Sequence, residues 1–276
     1  MTFWNFNNLT ATSTNDLFSL MDIISEWGVN TTIHQLFLEN GWNSYTDQEF
    51  VVFDTETLWF KDEIIEIWAI IVKNNMIKHK NGNFYPYEYY IENNQSKFYE
   101  MDCFPFFIKP TKDIPEQIVD LTHITMDLID AWMSKNATFW NQTFSNFADA
   151  FNAFIDFVWT RPIVAHNAWF DTWIFKWSVN NFYSQLDEAI KDFNHPLNLD
   201  KIAQFFNLKV IDTYSMAQKA LTLNPILDYK NGHLSEMFWL PPNEQMLHRA
   251  IYDVIFTARN FYWLYEYIWN TYQSLK

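Results

Sequence analysis

Apolar positions along this chain follow two periods, and the change from one to the other marks out the elements. Val51-Val52-Phe53 reads as a buried strand, and the isoleucine-rich stretch Glu63 to Val72 as a second. The polar, tyrosine-rich stretch Asn74 to Tyr99 reads as a hairpin insertion with its tip near Asn81-Gly82-Asn83. Phe104 to Ile108 supplies a third strand. Pro115 suits an early helix position, ahead of short helices near Glu116 to Leu121 and Met126 to Met133. Phe147, Phe151, Phe154, Ile155 and Val158 fall on one face of a helix over Ser145 to Val158. Ile163-Val164-Ala165 is a short strand, Ala168 to Val179 a helix, Val210-Ile211 a strand, and Tyr214 to Leu221 a helix. A long aromatic helix from Arg249 to about Tyr267 closes the pattern. Strands interleaved with helices over one span predict a layered α/β domain.

The first 46 residues differ from the rest. They are rich in Asn and Thr, contain no Lys or Arg, and carry two loose helical stripes. Leu17, Leu20, Met21, Ile23 and Ile24 form one, and Ile33, Leu36 and Phe37 the other. The expected organisation is an accessory helical segment over 1–46 and a main domain over 47–276; a disordered tail is the plainer alternative for 1–46, which its leucines and aromatics disfavour.

Composition narrows the partners. Hydrophobic residues make up 49% of 276, enough for a substantial core, and aromatic residues alone 20%, against only 4 Gly. A formal net charge of −15 argues against coating nucleic acid through bulk electrostatics. It leaves room for an enzyme that grips a few nucleotides in a metal-filled cleft, where cations neutralise phosphate. Arginine occurs three times (Arg161, Arg249, Arg259), and the first Lys or Arg is Lys61. The single Cys103 excludes an internal disulfide and a multi-cysteine zinc site. No apolar run approaches the ~18–20 residues of a membrane helix. With neither signal-peptide nor transit-peptide features in the first 50 residues, a cytoplasmic location is expected.

Candidate chemistry lies in three short stretches. In Phe53-Asp54-Thr55-Glu56-Thr57, Asp54 and Glu56 sit two apart on a predicted strand and project from one face. Two carboxylates so close repel unless a cation lies between them, as in oxygen-ligand Mg²⁺ or Mn²⁺ sites; two solvated acids at a strand end are the plainer alternative. In His166-Asn167-Ala168-Trp169-Phe170-Asp171, a strand turns into a helix with Asp171 in its first turn. Asp171 could equally complement the helix dipole, and His166 is read as shaping the turn. In the third stretch, His248 and Asp253 are five positions apart. Within one helix they would point about 140° apart. Asp253 is therefore placed on the helix and His248 on the loop before it, beyond Pro241-Pro242. A histidine titrating near neutrality can take a proton from an attacking water.

Together these motifs resemble the DEDDh branch of the DnaQ-like 3′–5′ exonucleases, in the flavour of proofreading epsilon or PolC-type domains. The likeness runs from about Glu49 to Tyr265. It includes Phe107-Ile108-Lys109-Pro110, Leu121-Thr122-His123-Ile124-Thr125 and Ile211-Asp212-Thr213 followed by Ala217. The resemblance implies a ribonuclease H-like fold, a mixed β-sheet flanked by helices. It implies that Asp54, Glu56, Asp171 and Asp253 hold two Mg²⁺ or Mn²⁺ ions and that His248 activates the attacking water. Thr57, Leu58 and Phe170 would lie against the terminal nucleotide. Single-stranded 3′ ends would be the substrate and a DNA polymerase a partner. Trp59 stands where the family has a glycine able to take positive φ, so the turn must change or absorb strain; His123 likewise stands where glycine is frequent. Two other readings use the same residues: an RNA-trimming exonuclease or oligonucleotidase, and a catalytically silent polymerase-binding scaffold.

Overall fold

The computed structural model describes residues 47–59, 62–91, 95–139, 146–184, 197–220, 228–237 and 249–274. The accessory segment expected over 1–46 lies outside them. Among the described residues seven strands form one sheet: β1 (Phe50–Thr57), β2 (Ile64–Lys73), β3 (Met76–Lys78), β4 (Phe84–Pro86), β5 (Cys103–Phe107), β6 (Ile163–Ala165) and β7 (Val210–Asp212). The order is β4-β3-β2-β1-β6-β7, with β5 joining β2 beside β3. β3 takes the Val72–Lys73 end of β2, and β5 takes Glu66 to Ile70. Setting the small hairpin aside leaves β5-β2-β1-β6-β7. The pairs β5·β2 and β2·β1 are antiparallel, and β1·β6 and β6·β7 parallel. That mixed sheet is the ribonuclease H-like arrangement expected.

The hairpin insertion is real but shorter than its sequence span. Gly82 takes φ +86 at the tip, and Asn83 N donates to Asn81 Oδ1 across the turn. Past Pro86 the chain leaves the sheet for a short helix α1 (Glu88–Ile91) and a 3₁₀ turn (Gln95–Glu100). β5 carries Pro105 at its centre, opposite Trp68, a residue without an amide donor that suits a strand paired on one side.

Helices cover both faces. They are α2 (Glu116–Thr122), α3 (Met126–Phe139), α4 (Phe147–Val158), α5 (Ala168–Ser184), α6 (Leu199–Phe206), α7 (Thr213–Ala220), α8 (Asn231–Met237) and α9 (Ala250–Ser274). Strand alternation decides which face each residue serves. Phe50 and Val52 of β1 pack with Val254, Ala258 and Phe261 of α9. Val51 and Phe53 pack with Phe154 of α4, Phe175 of α5 and Phe205 of α6. On this second face the aromatic content becomes structure: Phe175 stacks on Phe151 and Phe154 at ring-centroid distances of 5.0 and 5.3 Å. Among the described residues no helix is long and apolar enough to cross a membrane.

Candidate active site

The face assignment fixes the site. Asp54 and Glu56 share the parity of Phe50 and Val52, so both look toward α9. Asp253, in the first turn of α9, meets them there. One carboxylate oxygen from each of Asp54, Glu56 and Asp253 lies within 4.8 Å of the others. Burial holds the Asp54 carboxyl well above the ordinary carboxylate range, and the charges of Asp171, Asp253, Glu56 and Glu66 push it further. Glu56 is raised as well, by burial first and then by Asp253 and Glu66, with Arg249 opposing. Three hard oxygen donors at this spacing, crowded with negative charge, suit a divalent cation that prefers oxygen ligands.

Asp171 reaches β1 through Thr55. Thr55 has the opposite parity to its neighbours, and its Oγ1 donates to Asp171 Oδ1 at 2.7 Å. Asp171 is buried and lies outside the three-oxygen group, although its charge reaches Asp54. Burial raises its carboxyl to about 7, with the Thr55 hydrogen bond pulling the other way.

The turn that delivers Asp171 is built as the sequence suggested. Asn167 takes φ +60, and its carbonyl accepts from Phe170 N at 2.8 Å. His166 Nδ1 lies 2.9 Å from Thr213 Oγ1 and its ring meets Tyr214 edge-on. Burial lowers the imidazole to about 4, against the opposing charge of Asp212. Asp212 Oδ1 accepts from Ala168 N at the start of α5 and from Tyr214 N in α7, so one buried carboxylate ties two helix starts together.

Two residues around α9 are absent from the sequence-derived set. Glu66 of β2, wholly buried, pairs in register with Glu56. Its Oε1 accepts from Arg249 Nη2 at 3.0 Å and from Trp68 Nε1 at 3.1 Å, and its Oε2 from Ala250 N at 3.2 Å. A lone acid inside Ile64-Ile65-Glu66-Ile67-Trp68 was the available signal. Asn231 of α8 donates from Nδ2 to Thr257 Oγ1 at 3.0 Å, Asp253 O at 3.1 Å and Asp253 Oδ1 at 3.3 Å. Its Oδ1 accepts from Asn260 Nδ2 at 2.7 Å. No spacing in the sequence marks it.

The expected substrate contacts divide. Thr57 is half-buried at the end of β1, past a register shift that follows Glu56. Leu58 is fully buried among Ile65, Phe107, Ile118, Ile124 and Ile129. Its side chain packs the core, leaving Trp59, 47% exposed, as the outward apolar group. Trp59 does not take positive φ, so the turn has changed rather than absorbed strain. His123 does take it, at φ +57. Phe170 is half-buried. His248 lies outside the described residues.

A sheet of this order, with acidic side chains gathered at the end of its first strand, defines a ribonuclease H-like nuclease scaffold. The chain belongs to the exonuclease family of the RNase T type, whose sequence model matches residues 47–261. It is similar to the PolC-type DNA polymerase III of Clostridium perfringens (strain 13 / Type A), with 28% identity over 156 residues. That match covers 55% of this chain and 8% of the length of the relative. Among solved structures it is similar to exonuclease X in complex with 5′-overhanging duplex DNA. Identity there is 18%, coverage 79% of this chain and 91% of that one, and the TM-score 0.45. It is also similar to the zinc-bound E. coli ExoI–ssDNA complex, at 19% identity, 81% and 43% coverage and a TM-score of 0.46. At such scores neither likeness adds to the family assignment.

Proposed function

We propose that this chain is a metal-dependent 3′–5′ exonuclease that removes nucleoside 5′-monophosphates from single-stranded DNA ends. The observation that carries this reading is the convergence of Asp54, Glu56 and Asp253 within 4.8 Å, with the charge of Asp171 acting on Asp54. These four carboxylates would hold two Mg²⁺ or Mn²⁺ ions, a donor set of hard oxygens suited to either. Bound cations would supply Lewis acidity and charge neutralisation at the scissile phosphate. His248 would accept the proton of the attacking water; the new P–O bond forms as the P–O3′ bond breaks, and a proton returns to the leaving 3′ oxygen. Thr57, Trp59 and Phe170 border the acidic cluster in sequence and would hold the terminal nucleotide, with base stacking on the aromatic groups.

Similarity to a PolC-type polymerase supports a proofreading role beside a DNA polymerase. The charge of −15 supports dependence on such a partner, because the isolated chain has little electrostatic hold on long strands. The test is digestion of 3′- and 5′-labelled single-stranded DNA and RNA with Mn²⁺ or with EDTA. Shortening from the 3′ end, abolished by EDTA, by Asp54→Asn and by His248→Ala in folded protein, is the expected result. Equal digestion of RNA would remove the proofreading role, and inertness toward both polymers would leave a scaffold.

A further inference from the structure

We infer that Glu66 is a positioning residue of the active site, which sets where Asp253 stands. The inference rests on the exonuclease reading above. In the antiparallel register Glu66 lies opposite Glu56, so the two carboxylates share a face of the sheet. Glu66 nevertheless stands outside the group of oxygens that converge on one point. Both of its oxygens are occupied: Trp68 Nε1 and Arg249 Nη2 hold Oε1, and Ala250 N donates to Oε2.

These donors define what Glu66 does. The first amides of a helix have no partner within the helix. At α9 the first of them, Ala250 N, is satisfied from a neighbouring strand. Arg249, immediately before it, is tied to the same carboxylate as an ion pair at 3.0 Å. Trp68 braces that carboxylate from its own strand, so the anchor cannot swing. Asp253 follows Ala250 by three residues, less than one helical turn, so a shift at the anchor reaches Asp253 undiminished. Displacements of ~1 Å in reacting groups cost about 100-fold in rate, which is the scale on which such an anchor acts.

A purely structural ion pair behaves differently. Buried pairs replaced together by apolar side chains are often neutral in stability, so fold and function separate experimentally. The variants are Glu66→Gln, which keeps an acceptor for Ala250 N, and the joint replacement Glu66→Met with Arg249→Met. The measurements are kcat and KM on a labelled single-stranded oligonucleotide, and Mn²⁺ binding by calorimetry without substrate. We expect kcat to fall about 10- to 100-fold with KM changed less than about twofold, and Mn²⁺ to bind about 10-fold more weakly. In the joint variant thermal stability returns while kcat stays low. Wild-type kcat and Mn²⁺ affinity in either folded variant overturn the inference, as does loss of fold in both, which would assign Glu66 to stability. Wild-type protein that binds no Mn²⁺ and digests nothing overturns the functional reading instead.

Discussion

Thr55 Oγ1 and Asp171 Oδ1, 2.7 Å apart, join the middle of the first strand to the first turn of a helix 116 positions later. Because Thr55 sits between Asp54 and Glu56 with the opposite parity, one strand presents two carboxylates to one face and a hydroxyl donor to the other. Thr55→Val keeps the shape and removes the donor. Leaving a buried carboxylate short of a hydrogen bond costs about 1–3 kcal/mol, and loss of a ligand's supporting partner lowers activity about 10- to 100-fold. Chemical denaturation at pH 8 and single-turnover digestion check both. Unchanged stability would mean that this hydroxyl does not hold Asp171.

The crowded carboxylates give the metal-free protein a definite pH dependence. Asp171 titrates at about 7 in the fold, against ~4 for a free aspartate. A carboxyl raised on folding contributes fully below its unfolded value and loses that contribution as pH climbs through the folded one. Asp54 and Glu56 are shifted in the same direction. In EDTA the thermal midpoint should therefore be lower at pH 8 than at pH 5, and Asp171→Asn should flatten the fall. Mn²⁺ held by the ionised carboxylates of the folded chain would stabilise it, so MnCl₂ should raise the midpoint more at pH 8. A higher midpoint at pH 8 in EDTA would contradict the buried cluster.

His166 is the histidine to exclude as the proton acceptor. Burial lowers its ring to about 4, so it stays neutral across the working range. For a base depressed on folding, the contribution to stability is complete above ~6.5 and disappears as pH drops toward 4. Its NMR ring signals should not titrate between pH 8 and pH 5. With His248 as the base, the digestion rate should rise through neutrality and follow a signal that disappears in His248→Ala. Titration of His166 with a midpoint near 6.5 would overturn this.

His123 terminates α2 in the left-handed region, at φ 57 and ψ 20, with its amide donating to Val119 O. That conformation costs a side-chain-bearing residue about 1–2 kcal/mol, offset by the extra freedom glycine brings to the unfolded chain. His123→Gly should stabilise the protein by up to about 1 kcal/mol in urea unfolding, leaving digestion rates unchanged. Destabilisation would show that the imidazole makes a contact worth more than the strain.

The legible parts of this protein were those where local pattern and tertiary role coincide. β1 and β2 announced themselves as apolar runs, and Asp54 with Glu56 stood out because i, i+2 spacing means a shared face on a strand. Asp253 and Asp171 were placed on helix starts, where the structure puts them. Illegible features depend on partners remote in sequence. Glu66 hides in an isoleucine run because its partner Arg249 is 183 positions away. Asn231 belongs to α8, and neither α8 nor α6 was expected from the pattern. The hairpin is shorter than its sequence span because Tyr89 and Tyr90, which read as strand, form α1 after Pro86. Leu58, beside the acidic stretch, reads as a nucleotide contact, but its side chain fills the core with Phe107 and Ile118.

Pro105 at the centre of β5 and Pro86 at the end of β4 bear on how such a chain avoids sticking to itself. Strands this rich in phenylalanine and tyrosine invite cross-molecular ribbons wherever a row of amides stays open. An imino residue breaks that row, and three-residue strands at the β4 and β7 margins offer too short a template for a second molecule to grip.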